Sequence, residues 1–265
     1  MQSILLHIQD DDDLDGRIDA AVTMARAFGG YITCLHATPY VQYLTNDPFI
    51  ATIFPIDFST KMERLRLDLR TKVEGRLREA GSEWDWIHLD DDPHLALLRK
   101  APIVDVIVLS LGTGRKAQSL AATVAATARA PVLAIPPSDT PFDPTGIAAL
   151  AWDGSAESSV ALRASLPLLR KAASVHLIEI EDRTVRTRSE QGAHYLSRHG
   201  IEAHVVRRAA DSGDAGGAIL TMAEELGAGL LVMGAYGHSR TAEFLLGGAT
   251  QAVLSNSRIP LLLAH

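Results

Sequence analysis

Short apolar runs recur along the chain, separated by amphipathic stretches, and the whole order appears twice. In the first half the runs are SILLHIQ (3–9), YITCLHA (31–37), WDWIHL (84–89), DVIVLS (105–110) and PVLAI (131–135). In the second they are IAALAW (147–152), SVHLIEI (174–180), EAHVVRR (202–208), GLLVM (229–233) and PLLLA (260–264). Apolar runs of this length predict strands buried on both faces, and helical patterns between them predict parallel crossover connections. Ile18, Val22, Ala25 and Phe28 form one helical stripe, and Ile219, Met222, Ala223 and Leu226 form another. Their three- and four-residue spacing suits packing on a sheet, so both stripes read as core. The repetition is an internal duplication. Between the copies lies PPSDTPFDPTG (136–146), which cannot propagate a helix. The copies differ before their third strand. There the first carries VQYLTNDPFIATIFPIDFST (41–60) and a long helix with Met62, Leu65, Leu69, Val73 and Leu77 on one face, while the second has a short polar connection around 183–199.

Composition narrows the choices. A chain of 265 residues, 47% hydrophobic, has room for two ordinary domains with well-buried cores. The formal net charge of -7 supplies no basic field, which argues against nucleic acid or an acidic membrane surface as partner. Cys34 is the single cysteine and sits inside an apolar run, so it reads as a buried, inert thiol with no intramolecular disulfide to form. That suits a reducing compartment. The start, MQSILLHIQDDDD, lacks the basic region and longer apolar stretch of a signal peptide, and no run reaches the roughly 18 apolar residues of a membrane helix. The protein reads as soluble and cytoplasmic.

Open parallel sheets bind ligands at the carboxyl ends of their strands. In the second half those ends are AWDGS (151–155), EIED (179–182) and the glycine-rich stretch VMGAYGHSRTAEFLLGGATQAVL (232–254). Glycine lets backbone approach a ligand, and successive N–H groups opening a helix make a nest for anions. Gly234, Gly237, Gly247 and Gly248 would therefore suit a phosphate chain, and the same spacing also fits a tight turn followed by a helix cap. Asp153 reads equally as a ligand contact or a turn former, with Ser155 as a second capping residue. His238 is a donor that could reach a phosphate or simply an exposed polar residue.

These residues carry a resemblance. Gly234-x-x-Gly237, then residues 238–246, then Gly247, set in LLVMGAYGHS and FLLGGATQAVL, resemble the nucleotide-binding loop of the universal stress protein family. LAWDGSAESSVAL (150–162) is similar to that family's first strand, Asp and helix start. The resemblance implies an α/β fold of two tandem five-stranded parallel domains, Rossmann-like, forming an intramolecular pseudo-dimer, and it leaves a further homodimer open. It places a degenerate domain at 1–138 and a nucleotide-binding one at 146–265. It implies ATP, ADP or AMP as ligand, with Mg as companion ion and occupancy as a stress signal. By residue, it gives adenine and ribose contacts to Ala151, Trp152 and Asp153, apolar contact to Ile180, and contacts at the fourth strand's end to Met233 and Gly234. The phosphate and ribose loop would be Gly237, Gly247, Gly248, Ala249 and Thr250, with His238 beside them. Gly248 departs from the family's usual Ser or Thr, which removes a hydroxyl donor and leaves the Gly N–H and the Thr250 hydroxyl. The alternatives are a nucleotide-free interaction module with a vestigial loop, or a slow ATPase or self-phosphorylating protein. No obvious general base stands beside the phosphates, which ranks enzymatic activity last.

The first half reads differently. From Ser110 to Gln118 its loop spans eight positions, against thirteen from Gly234 to Gly247, and Gln118 and Ser119 stand where the closing glycines should be. Gly112 and Gly114, followed by Arg115 and Lys116, read as a turn with solvated charges. Asp10, Asp11, Asp12 and Asp13 would repel a triphosphate. The acidic run lacks the distal Glu of a calcium loop, Val22 standing at that spacing, and reads as a solvated turn. No CxxC, HExxH, GxSxG or GxGxxG arrangement appears at a position that would support metal, hydrolase or dinucleotide chemistry.

Overall fold

A computed structural model describes residues 1–39, 56–112, 115–137, 141–181, 188–209, 214–235 and 248–265. The five strands of the first half are β1 (Ser3–Ile8), β2 (Tyr31–Ala37), β3 (Glu83–Leu89), β4 (Val106–Ser110) and β5 (Val132–Ile135). Those of the second are β6 (Ile147–Ala151), β7 (Ser174–Glu181), β8 (Ala203–Ala209), β9 (Leu230–Gly234) and β10 (Leu261–Ala264). All match the predicted runs to within one residue at each end. The helices are α1 (Leu14–Phe28), α2 (Ile56–Glu79), α3 (Pro93–Lys100) and α4 (Arg115–Thr127), then α5 (Ala156–Leu169), α6 (Arg188–Arg198), α7 (Ala215–Glu225) and α8 (Gly248–Asn256).

The strands form one sheet in the order β3-β2-β1-β4-β5-β10-β9-β6-β7-β8. Within each half every pairing is parallel. The halves meet at β5 and β10, which pair antiparallel with Leu133 opposite Leu262. An antiparallel seam between equivalent edge strands is what a twofold relation between two parallel sheets produces, so the duplicated halves form a pseudo-dimer. This junction also removes two exposed sheet edges.

Two apolar layers flank the sheet. One gathers Ile18, Met24, Leu77, Leu162 and Leu196 from α1, α2, α5 and α6; the other gathers Leu97, Val124, Met222 and Val253 from α3, α4, α7 and α8. Covering on both faces explains why the inner strands are continuous apolar runs, while the edge strands β3 and β8 are partly exposed and carry charged residues. Cys34 is fully buried, and burial pushes its thiol up to about 12, consistent with an inert side chain. No helix among the described residues is long and apolar enough to cross a membrane.

Two local expectations change. The stretch 183–199 holds a helix, α6, where a polar connection was expected. Its anchors are Leu196 and Ser189, both fully buried, and Gly192, which lies against the Trp152 ring. On α2 only the C-terminal part of the stripe is core: Leu69, Val73 and Leu77 are buried, whereas Met62 and Leu65 are exposed. Residues 41–55 lie outside the described residues.

Candidate functional site

The register of β6, β7 and β9 assembles the second half's strand ends. Leu150 faces Val232 and Ala151 faces Ile178, so Trp152 and Asp153, Ile180, and Met233 and Gly234 arrive at one edge of the sheet. Beyond β6 the chain must turn sharply into α5. Gly154 takes φ 75°, a left-handed conformation that favours glycine, and Asp153 Oδ1 accepts a hydrogen bond from the Ser155 N–H at 2.9 Å. Ser155 then caps α5, its Oγ accepting from the Ser158 N–H at 3.1 Å. Of the two readings of Asp153, the turn former is present in the structure, and Ser155 is the helix cap. The Asp153 side chain remains exposed at the strand edge.

Turn and cap together aim the first turn of α5 at the end of β9. A Cβ on Gly234 would lie 2.6 Å from both the Glu157 carbonyl carbon and the Ser158 nitrogen. Gly234 is therefore required by helix–strand packing, a reason that spacing alone did not reveal. Gly216 of α7 plays a comparable role: its bare Cα lets the Ala249 carbonyl come so close that a Cβ there would lie 2.7 Å away. This contact fixes the start of α8.

Side chains at the edge divide by strand alternation. Ala151, Ile180 and Met233 project toward the α7 and α8 layer, the first and last buried and Ile180 half-buried. Trp152 projects to the opposite layer and packs against Gly192 of α6, while its N–H donates to the Ile178 carbonyl at 2.9 Å. Its indole is thus committed to the core, and only its backbone faces the edge. Gly248, the first residue of α8, is exposed, and among the described residues no atom beyond its chain neighbours and its own helix backbone lies within 4 Å of where its Cβ would stand. Ala249 is half-buried and Thr250 is buried, so Thr250 is turned into the domain. Gly237, His238 and Gly247 lie outside the described residues.

In the first half the acidic turn is not uniformly solvated. Asp11 pairs with the buried Arg17 at 2.9 Å, and Asp13 is partly desolvated, which with the neighbouring Asp11 and Asp12 raises its carboxyl above the usual range. Arg17 escaped the sequence reading because it sits within the apolar stripe of α1. Gly112 has φ 69°, as the turn reading requires. No cluster of three or more metal-ligating side chains occurs among the described residues.

Fold and site define a duplicated α/β protein with its candidate ligand edge in the second half. The Universal stress protein family pattern matches residues 144–265. A universal stress protein from Archaeoglobus fulgidus DSM 4304 superposes with a TM-score of 0.74 at 16% identity, over 99% of this chain and 96% of that one. A functionally unknown protein from Pseudomonas aeruginosa PAO1 gives 0.62 at 18%, over 100% and 92%. No curated protein matches the sequence. The second half thus carries the Universal stress protein family pattern, and the chain as a whole shares the fold of a universal stress protein, the first half repeating it.

Proposed function

We propose that the second half binds an adenine nucleotide, ATP or its products ADP and AMP, and that occupancy of this site is the protein's signal. The observation that carries this reading is the assembly on one sheet edge of an apolar wall, an exposed carboxylate and a bare helix start. Ala151, Ile180 and Met233 offer apolar surface to a base. Asp153 offers an acceptor for ribose hydroxyls or an exocyclic amine. The Gly248 N–H at the start of α8 offers a donor and the positive end of the helix dipole to phosphate. A Mg ion would be held through the phosphates, whose charge it would offset. The chain's own part is binding and orientation.

Gently denatured, freshly purified protein should release ATP, ADP or AMP detectable by mass spectrometry. Gly248→Ser adds a hydroxyl donor in open space, and if roughly 1.4 kcal/mol of a charge-assisted hydrogen bond survives, ATP affinity rises about tenfold. Absence of co-purifying nucleotide, together with a flat ATP titration of both parent and variant, would replace this reading with a nucleotide-free interaction module.

A further inference from the structure

Arg17 is among the largest fully buried side chains, only 1% exposed. All three of its guanidinium nitrogens are engaged at the carboxyl edge of the first half. Nε donates to the His7 carbonyl at 3.2 Å and Nη2 to the Gln9 carbonyl at 2.8 Å. Nη1 donates to Ser110 Oγ at 2.6 Å and meets the Asp11 carboxylate, 2.9 Å from Oδ1 and 3.1 Å from Oδ2. A buried cation persists only where a counter-charge and hydrogen-bond acceptors replace water. Here the end of β1, the turn after it and the end of β4 supply them.

Strand register locates this place relative to the other half. Ile4–Leu6 pair with Val106–Val108, and Ala148–Leu150 pair with Leu230–Val232. Counting outward, Gln9 stands where the second half has Asp153, and Ser110 stands where it has Gly234. Arg17 thus joins, from the α1 side, the two strand ends whose counterparts in the second half carry Asp153 and Gly234. The corresponding turn of α5 carries Val160 and Ala161, neither able to reach across as a cation. Ser110, which departs from glycine, is an added acceptor for the guanidinium.

We propose that the first half is self-liganded: Arg17, reaching in from α1, ties together from within the chain the strand ends that the second half presents to a ligand, and holds the β1–α1 turn shut. The tandem chain then has one ligand-responsive half and one constitutively closed half across a shared sheet. The nucleotide reading enters only through the stoichiometry this implies, one site per chain. The internal ligand is testable without any nucleotide.

Arg17→Ala in the full chain leaves the acceptors behind and should create a guanidinium-binding site. Its Tm should fall by several degrees, and low-millimolar ethylguanidinium should restore part of the loss, while ethylammonium at equal ionic strength does not and the parent responds to neither. Hydrogen exchange at residues 9–13 should rise in the variant and fall again with ethylguanidinium. Arg17→Lys, which keeps the charge but lacks the fork, should also melt lower and exchange faster at 9–13, and it stands in should the alanine variant not fold. A parent-like Tm in either variant, or a folded Arg17→Ala that ethylguanidinium does not selectively rescue, overturns the proposal. Two equivalent ATP sites in the parent also overturn it. No ATP binding at all, with the melting and exchange results as expected, overturns the nucleotide reading and leaves the internal ligand standing.

Discussion

Replacing Gly234 by alanine tests the geometry that builds the candidate site. The added methyl would lie 2.6 Å from two backbone atoms of α5, the Glu157 carbonyl carbon and the Ser158 nitrogen, and 2.9 Å from Glu157 Cβ. Ordinary carbon contacts sit at about 3.5–4.0 Å, so the helix start must retreat by roughly an ångström or β9 must bow. Neither neighbour is a flexible side-chain tip that could swing aside. Forcing one methyl group into a packed contact costs about 1–3 kcal/mol. The φ of Gly234 is not in the left-handed region, so alanine suffers no backbone strain there and recovers about 0.4–1 kcal/mol through the unfolded state. A net loss of about 1–2 kcal/mol remains, which for a chain of this size lowers Tm by roughly 2–8 °C.

The control is Gly248→Ala, where among the described residues no atom beyond the chain neighbours and the helix's own backbone lies within 4 Å of the added methyl and φ is again outside the left-handed region. Its Tm should match or slightly exceed the parent's, because alanine is the better helix former. Calorimetric melting without nucleotide reads both variants. ATP affinity should also fall in Gly234→Ala, since retreat of α5 carries the Asp153 turn with it. If Gly234→Ala melts at or above the parent, α5 does not pack on bare β9 backbone, and the site geometry argued from that contact fails.

Acid should weaken the fold through its first half. Burial, aided by Arg17 and His36, lowers His7 from 6.5 to about 3, and burial with His88 and Arg66 nearby lowers His36 to about 4. The folded chain thus refuses protons that the unfolded chain takes up below about 6.5. Stability is complete above that pH and lost as pH falls toward 4, by up to about 2 kcal/mol for each histidine at pH 5. Urea midpoints at pH 7 and pH 5 check this, and a midpoint unchanged at pH 5 refutes it. Separately expressed halves should recombine through the β5–β10 seam, where Val132–Ala134 pair with Leu261–Leu263. Size-exclusion chromatography showing folded halves that stay monomeric when mixed would count against the seam as a cohesive interface.

The inner strands were legible because they are covered on both faces, so apolar runs such as VIVLS and LLVM stand out without any need for alternation, whereas the edge strands β3 and β8 are only partly covered and read less plainly. α6 was not legible because it is pinned by few apolar residues: Leu196 reaches the core, while Ser189 and Gly192 pack by smallness, which hydrophobic periodicity does not register. The edge positions of the site were readable from the strand order, but side-chain direction required the two-residue alternation. Ala151 and Trp152 are consecutive in sequence, so they point to opposite layers, and the indole could not share a wall with Ala151. The roles of Gly234 and Arg17 depend on the approach of α5 and α1 to the sheet. Local sequence spacing does not encode that distance.

The duplication makes one more difference interpretable. His36 faces His88 across β2 and β3, at the register position where Glu179 faces Arg207 across β7 and β8. In the second half the pair is an ion pair at 3.1 Å, and Arg207 also donates to the buried Ser189 hydroxyl at 2.7 Å, tying the edge strand to α6. In the first half the two imidazoles lie tilted at 40° with centroids 5.1 Å apart, and each keeps a buried Nδ1 without a hydrogen-bond partner among the described residues. An unsatisfied buried polar atom carries a desolvation cost, so this edge is weaker than its counterpart. The closed half therefore combines a firmly tied ligand edge, held by Arg17, with a less satisfied outer edge. In the second half the ion pair lies at the outer edge, and the ends of β6 and β9 are where the proposed ligand would bind. On that proposal the chain would respond to its ligand asymmetrically, because Arg17 already joins the corresponding strand ends of the first half.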